Sequence, residues 1–147
     1  MWLEGGGGGG FTESYELAAY FYVKRVSLVY QEIPFFFVTG DEKYYSKIES
    51  ETVKALLGKE PSEFKVNSDV IWEELKMKYN VFYLHKEYDV PRKESQILEQ
   101  WTNILGTERI LKVNTAKACV DVILGAIALT SGARNLEKYL DDMKKRD

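Results

Sequence analysis

The chain has a single cysteine, Cys119, and a single histidine, His85, among its 147 residues. One cysteine excludes a disulfide within the chain and a cysteine-rich metal site, and one histidine excludes a histidine-rich site and paired-histidine catalysis. No stretch approaches the ~20 apolar residues of a membrane-spanning helix. The first residues lack the charged and then hydrophobic segments of a secretory signal. We therefore expect a cytoplasmic protein.

The chain also has little excess of one sign of charge. Twenty basic residues stand against twenty-three acidic ones, which gives a net charge of −3. A chain without a basic field is not predicted to bind nucleic acid, and we expect no membrane contact either. Hydrophobic residues make up 45% and aromatic residues 14%, an ordinary globular mixture for one domain over residues 1–147.

Three short apolar runs predict buried strands. Residues 34–39 form the first run and end at Gly40, residues 81–84 form the second, and residues 109–113 form the third. Lys112 interrupts the third run, which places it at a sheet edge. Helical patterns separate the runs, and such crossovers connect parallel strands. We predict a three-layer α/β/α fold with a mainly parallel sheet, Rossmann-like in class.

Six helices are predicted from apolar periodicity and end signals. Thr12 is expected to begin the first helix, which runs to about Leu28, and Ser46 with Glu49 forms a capping box for the second, which ends at Gly58. The other four are predicted to begin at Ser68, near Lys93, at Asn114 or Thr115, and before Leu136. Cys119 lies on the apolar face of the fifth helix, where we expect a small buried side chain.

Polar residues follow the predicted strands at the edge where parallel sheets bind ligands. Asp41 and Glu42 follow the first strand, His85 the second and Asn114 the third. A run of six glycines, residues 5–10, precedes Thr12, Glu13 and Ser14 at the predicted start of the first helix. Backbone N–H groups and hydroxyls at such a position suit an anion or a hard cation such as Mg²⁺.

Two segments resemble parts of the von Willebrand factor A (VWA) domain. Residues 9–18, Gly-Gly-Phe-Thr-Glu-Ser-Tyr-Glu-Leu-Ala, resemble the glycine-led loop whose threonine contributes to that family's metal-ion-dependent adhesion site. Residues 35–42, Phe-Phe-Phe-Val-Thr-Gly-Asp-Glu, resemble its buried strand followed by an aspartate. The resemblance implies a non-enzymatic protein-interaction module. It also implies Mg²⁺ bound by Thr12 and Asp41, with Ser14 and Glu42 as second choices.

The chain departs from the VWA pattern in two places. It has no Asp-x-Ser-x-Ser motif, and Gly40-Asp41 reverses the usual Asp-Gly order. We therefore expect the metal site to be incomplete or degenerate, with Thr12 as a helix N-cap and Asp41 as a turn residue when no metal binds.

The missing motif also has a consequence for the sheet. In the VWA fold the strand that carries the motif lies beside the strand that matches residues 35–38, so its absence leaves Phe35–Val38 at an open edge. The resemblance then covers only the later portion of the fold, incomplete at its N-terminal side. We expect the chain to be a piece of a larger domain, or to pair with a complementary chain or with itself.

One enzymatic alternative remains open. The spacing Gly5-x-Gly7-x-x-Gly10 fits a nucleotide- or phosphate-binding α/β enzyme that uses the glycine-rich loop, although Glu32 is misplaced for a ribose-binding acid. His85 with Asp41 or Asp89 could form an acid–base pair, but a lone histidine at a strand end is more often structural and no nucleophile accompanies it, so we predict no catalytic residue.

Overall fold

A computed structural model describes residues 11–29, 34–58, 65–87 and 91–145 of the chain. Within these ranges the protein is a mixed α/β structure with six α-helices. In chain order the elements are β1 (Thr12–Glu13), α1 (Tyr15–Arg25), β2 (Phe35–Gly40), β3 (Lys43–Tyr44), β4 (Lys47–Glu49), α2 (Ser50–Leu57), β5 (Lys65–Asn67), α3 (Ser68–Lys78), β6 (Asn80–His85), α4 (Pro91–Leu105), β7 (Ile110–Lys112), α5 (Ala116–Thr130) and α6 (Leu136–Lys144).

The main sheet contains the three predicted strands, and they run parallel in the order β2-β6-β7. The parallel prediction is confirmed, and β7 is an edge strand among the strands that the structure describes, as its lysine indicates. Two small sheets accompany it: β1 pairs with β3 in parallel, and β4 pairs with β5 antiparallel. The sheets are therefore only partly parallel.

Successive side chains of β6 belong alternately to two hydrophobic clusters. Because neighbouring side chains of a strand point to opposite faces, the clusters lie against opposite faces of the sheet. The larger cluster includes Val81 and Tyr83 with residues of α1, α3 and α4. The smaller one includes Phe82 and Leu84 with residues of α5.

Aromatic rings fill the larger cluster. Trp72 and Trp101 are fully buried, and their ring centroids lie 5.1 Å apart in an edge-to-face arrangement. The Trp101 ring also stacks on the Tyr83 ring, with centroids 4.1 Å apart. The Tyr44 ring contacts Trp101 edge-to-face, with centroids 5.0 Å apart. These contacts attach α3, α4 and β3 to β6, and each aromatic pair stabilises the fold by roughly 0.5–1.5 kcal/mol beyond its burial.

The smaller cluster is only partly covered. Phe35 and Phe37 stack on Phe82 and remain half-buried, as does Cys119 of α5, which was expected to be buried. On α5, Val120 and Leu124 are exposed. This face of the sheet therefore leaves apolar surface in contact with solvent.

Several helix boundaries differ from the sequence-based prediction. Thr12 lies in β1 rather than at a helix N-cap, and α1 begins at Tyr15. Residues 47–49 form β4, so α2 begins at Ser50, and the capping box at Ser46 is wrong. Asn67 caps α3 in place of Ser68. The predicted stop at Gly58 is confirmed, with φ of 69°.

None of the helices in the described ranges has the length and apolar character needed to cross a membrane. The glycine run, Glu32 and Asp89 lie outside these ranges.

Candidate functional site

The two segments predicted to carry metal ligands are neighbours in the fold. Thr12 pairs with Lys43 in the β1–β3 sheet, and the Lys43 N–H donates a hydrogen bond to the Phe11 carbonyl at 3.3 Å. Asp41 lies two residues before Lys43. The pairing therefore brings Thr12 and Asp41 to the same end of the main sheet. Ser14 occupies the N-cap position of α1, but its side chain makes no capping hydrogen bond.

Tyr15 connects this segment to the end of β2. A Cβ atom placed on Gly40 would overlap the Tyr15 hydroxyl, so only glycine leaves room for the phenol at this point. Burial, and after it the carboxylates of Asp41, Glu13 and Glu42, together raise the pKa of Tyr15 to about 12. The phenol is therefore surrounded by negative charge at the predicted metal site.

Glu42 is held in place through its backbone. Its carbonyl accepts hydrogen bonds from Trp101 Nε1 at 3.0 Å and from the Tyr83 hydroxyl at 3.4 Å. Its side-chain Oε2 is buried and has no hydrogen-bond partner among the described residues. Burial raises the pKa of Glu42, as do Glu13 and Asp41, while Lys93 lowers it.

The described residues contain no group of three or more histidine, cysteine, aspartate or glutamate side chains arranged to hold a metal ion. Mg²⁺ takes an octahedral set of oxygens, often with several waters and one or two carboxylates. Thr12 and Asp41, with Ser14 and Glu42 beside them, supply oxygens of the right kind.

His85 forms a buried network at the end of β6. Its Nε2 lies 2.6 Å from Glu94 Oε1, its Nδ1 lies 3.5 Å from the Tyr83 hydroxyl, and the residue is 1% exposed. Among the described residues, the carboxylate that contacts His85 is therefore Glu94. This contact connects α4 to β6, and the imidazole is shielded from solvent.

The Glu94 contact has a signal in the sequence. Glu94 precedes Ile97 by three residues and Trp101 by seven, so it lies on the same face of α4 as these two buried side chains. A carboxylate on a buried helical face needs a polar partner, and His85 is the chain's only histidine. Sequence reasoning missed this pairing because it considered only acids near strand ends.

A second buried carboxylate also went unpredicted. Glu16 is 2% exposed in the first turn of α1, and its Oε2 accepts a hydrogen bond from the Tyr45 N–H at 3.0 Å. Burial raises the pKa of Glu16 to about 7. The side chain lines a 410 Å³ cleft whose wall also includes Ser14, Lys47 and Glu49.

A cavity of about 370 Å³ lies at the carboxyl ends of the parallel strands. Thr39 and Gly40 of β2, Lys86 after β6, and Asn114 and Thr115 before α5 contribute to its lining. Asn114 was expected at this edge. The Thr115 side chain caps α5 by accepting a hydrogen bond from the Ala118 N–H at 3.2 Å.

The outer edge of β2 is the other distinctive feature of the sheet. Within the described residues, β2 pairs with β6 and with no other strand. The carbonyls of Pro34 and Gly40 both face β6, since they accept hydrogen bonds from Asn80 and Lys86 at 2.7 and 2.8 Å. Backbone groups alternate in direction along a strand. The N–H and C=O groups of Phe35, Phe37 and Thr39 therefore point away from β6.

Comparison of the chain with protein-family models, with curated proteins and with solved structures finds no match. What the protein does has to be inferred from its own contacts, burial and charges.

Proposed function

We propose that this chain is a non-enzymatic protein-interaction module of the VWA type, which binds a protein partner through the outer edge of β2. In this proposal the fold is the three-layer α/β/α arrangement predicted from the sequence. The observation that carries it is the pairing of β2, which uses one of its two sides among the described strands.

The chemistry of β2 suits pairing with an extended segment. Three residues, Phe35, Phe37 and Thr39, direct their backbone donors and acceptors outward, and the strand Phe35–Gly40 contains no charged side chain. Proteins that prevent pairing at an edge place charges there. The opposite edge carries such a charge in the exposed Lys112 of β7. The β7 edge is therefore protected against pairing, whereas the β2 edge is suited to it.

Added strands bind through main-chain hydrogen bonds, and pockets for alternate side chains give selectivity. The half-buried rings of Phe35 and Phe37 supply an apolar surface on one face of β2. A partner strand with apolar side chains on that face would cover them, which contributes about 25 cal/mol per Å² of apolar area removed from water.

Partner binding in this proposal needs no metal, because the adhesion site is incomplete. If the site does take up Mg²⁺, Thr12 and Asp41 are its ligands, and Ser14 and Glu42 are the second choices. The buried carboxylate oxygen of Glu42 and the acidic surroundings of Tyr15 are compatible with a cation at this place.

Peptide selection tests the proposed function. Random peptides are first selected for binding to the wild-type protein at low protein concentration. The affinity of the selected peptides is then measured for two variants, Thr39→Lys at the β2 edge and Thr52→Lys at an exposed position of α2. Peptides that pair with β2 should bind the Thr52→Lys variant normally and lose about tenfold or more in affinity for Thr39→Lys, because the new charge lies at the paired edge. Equal binding to both variants would place the interaction elsewhere.

A nucleotide- or phosphate-binding enzyme is the second candidate, and the 370 Å³ cavity with Lys86 in its lining is the observation that favours it. Thermal-shift measurements with Mg²⁺, Mn²⁺, NAD and ATP separate the two. Stabilisation by a nucleotide without metal supports the enzyme, since a ligand that binds only the folded state raises the melting temperature. Stabilisation by a divalent metal alone supports the VWA-type module with a working metal site.

A further inference from the structure

We propose that the partner at the β2 edge is β2 of a second copy of this chain, so that two molecules form one continuous sheet across a two-fold axis. This inference rests on the proposed function, since it names the occupant of the same edge. Strand order across such a dimer would be β7-β6-β2 in one molecule followed by β2-β6-β7 in its partner.

Symmetry determines how the two edges meet. A two-fold axis brings a strand against its own copy in antiparallel orientation, and the contact is self-complementary. The outward-pointing residues are Phe35, Phe37 and Thr39, an odd number centred on Phe37. An axis at Phe37 pairs Phe37 with its copy and pairs Phe35 with Thr39 in both directions. Each outward donor then meets an outward acceptor, and this is the one register in which the three outward residues of the described strand pair only with one another.

The side chains agree with the same register. Directly opposed residues of antiparallel strands project from the same face, with Cα atoms about 5.5 Å apart in a hydrogen-bonded pair. The Phe37 rings of two copies would therefore meet on the face where Phe37 already stacks on Phe82 at 5.5 Å. Phe35, whose centroid lies 6.0 Å from that of Phe37, would extend the same row of rings.

Charge does not oppose the contact. Across the two-fold axis the residue at the centre faces its own copy and each other residue faces its symmetry-related partner, so a strand without charges brings no like charges together. The six residues Phe35–Gly40 are Phe, Phe, Phe, Val, Thr and Gly. Asp41 and Glu42 follow the strand and lie beyond the paired segment, on opposite sides of the axis in the two copies.

Amide hydrogen exchange at two protein concentrations about a hundredfold apart tests this directly. At the higher concentration, the amides of Phe35, Phe37 and Thr39 should exchange at least about tenfold more slowly than at the lower one. The amides of Phe36, Val38 and Gly40 point toward β6 and serve as internal controls that do not change. Light scattering should show the mass rising toward that of a dimer over the same range.

The exchange measurement also separates the two proposals. Outward amides that stay unprotected at both concentrations overturn self-pairing and leave the edge free for another protein. If the outward amides are protected equally at both concentrations and the molecule has the mass of a monomer, another part of the same chain covers the β2 edge. That result would overturn both self-pairing and partner binding at this edge.

A charge-swap pair gives a second test. Phe37→Lys and Phe37→Glu each place like charges opposite each other across the axis, so each variant alone should be monomeric. Mixed together, the two should form a one-to-one dimer, because the opposed charges then attract. Folded variants that dimerise alone as well as the wild type does would contradict the proposed register. If circular dichroism shows that either variant is unfolded, the exchange experiment on the wild-type chain decides.

Discussion

At the residue scale, two positions carry constraints that only the folded structure reveals. Glu16 is a carboxyl group that is 2% exposed, and Gly40 is a strand residue whose hydrogen faces the ring of Tyr15. Neither is predicted from the sequence to be a site residue. Glu16 reads as an ordinary first-turn acid of α1, and Gly40 as the end of a strand, because the partner of each lies far away in sequence.

Glu16 predicts a pH-dependent stability. Its pKa is raised to about 7 in the folded state, so folding favours the protonated form. The stabilisation that comes from protonated Glu16 is fully present below the unfolded pKa of 4.5 and is lost as the pH rises through 7. The loss in unfolding free energy is at most about 3 kcal/mol. Glu16→Gln keeps an acceptor for the Tyr45 N–H and removes the charge.

Unfolding free energies of Glu16→Gln and the wild type are measured by urea denaturation. The variant's stability minus that of the wild type should rise between about pH 5 and pH 8, because only the wild type loses stability through this group. Glu51→Gln, which removes a carboxyl group from an exposed position on α2, is the matched control. If the difference between Glu16→Gln and the wild type does not vary with pH, folding does not raise the pKa of Glu16 and the prediction is wrong.

Gly40 predicts a steric coupling to Tyr15. Gly40→Ala inserts a methyl group into the space of the phenol, and we expect a destabilisation of about 1–3 kcal/mol. In a Tyr15→Phe background the nearest atom, the hydroxyl oxygen, is gone, so the same substitution should cost less. A double-mutant cycle measured by denaturation checks this, and equal costs in both backgrounds would contradict the contact.

At the element scale, the segments rich in apolar residues are the predictable ones. The runs that became β2, β6 and β7, and the stripe of Ile97, Trp101 and Ile104 that became α4, carry enough apolar residues to determine their type. The short strands β1, β3, β4 and β5 have two or three residues each, too few to show a period of two. Their backbone pairing is set by the surrounding fold, so Thr12 and residues 47–49 were assigned to helices.

Helix caps give a prediction at this scale, because the cap of α3 is Asn67 and not the predicted Ser68. Asn67 Oδ1 accepts a hydrogen bond from the Asp69 N–H at 2.9 Å, whereas the buried Ser68 hydroxyl has no partner among the described residues. Asn67→Ala should cost about 1 kcal/mol in unfolding free energy, and Ser68→Ala should be neutral or stabilising. Thermal or urea denaturation of the two variants checks this. The reverse order would restore Ser68 as the cap.

At the scale of the whole molecule, the parallel direction of the main sheet followed from helices between the apolar runs, and β7 was placed at an edge by Lys112. The candidate sites were predictable only in position. Strand ends indicated where Asp41, His85 and Asn114 would lie, but the Glu94 contact of His85 depends on how α4 packs against β6. The pairing of β1 with β3 likewise depends on the fold, and it brings Thr12 to Asp41 by a different route from the predicted helix start.

Binding at the β2 edge requires that β2 lies parallel to β6 and that its other side is unpaired within the chain. Scalar couplings across hydrogen bonds, measured by NMR at low protein concentration, test this most directly. We predict couplings from the Asn80 N–H to the Pro34 carbonyl and from the Lys86 N–H to the Gly40 carbonyl, and none from the N–H groups of Phe35, Phe37 and Thr39. Couplings from those three amides to another strand of the same molecule, or an antiparallel pattern between β2 and β6, would contradict it.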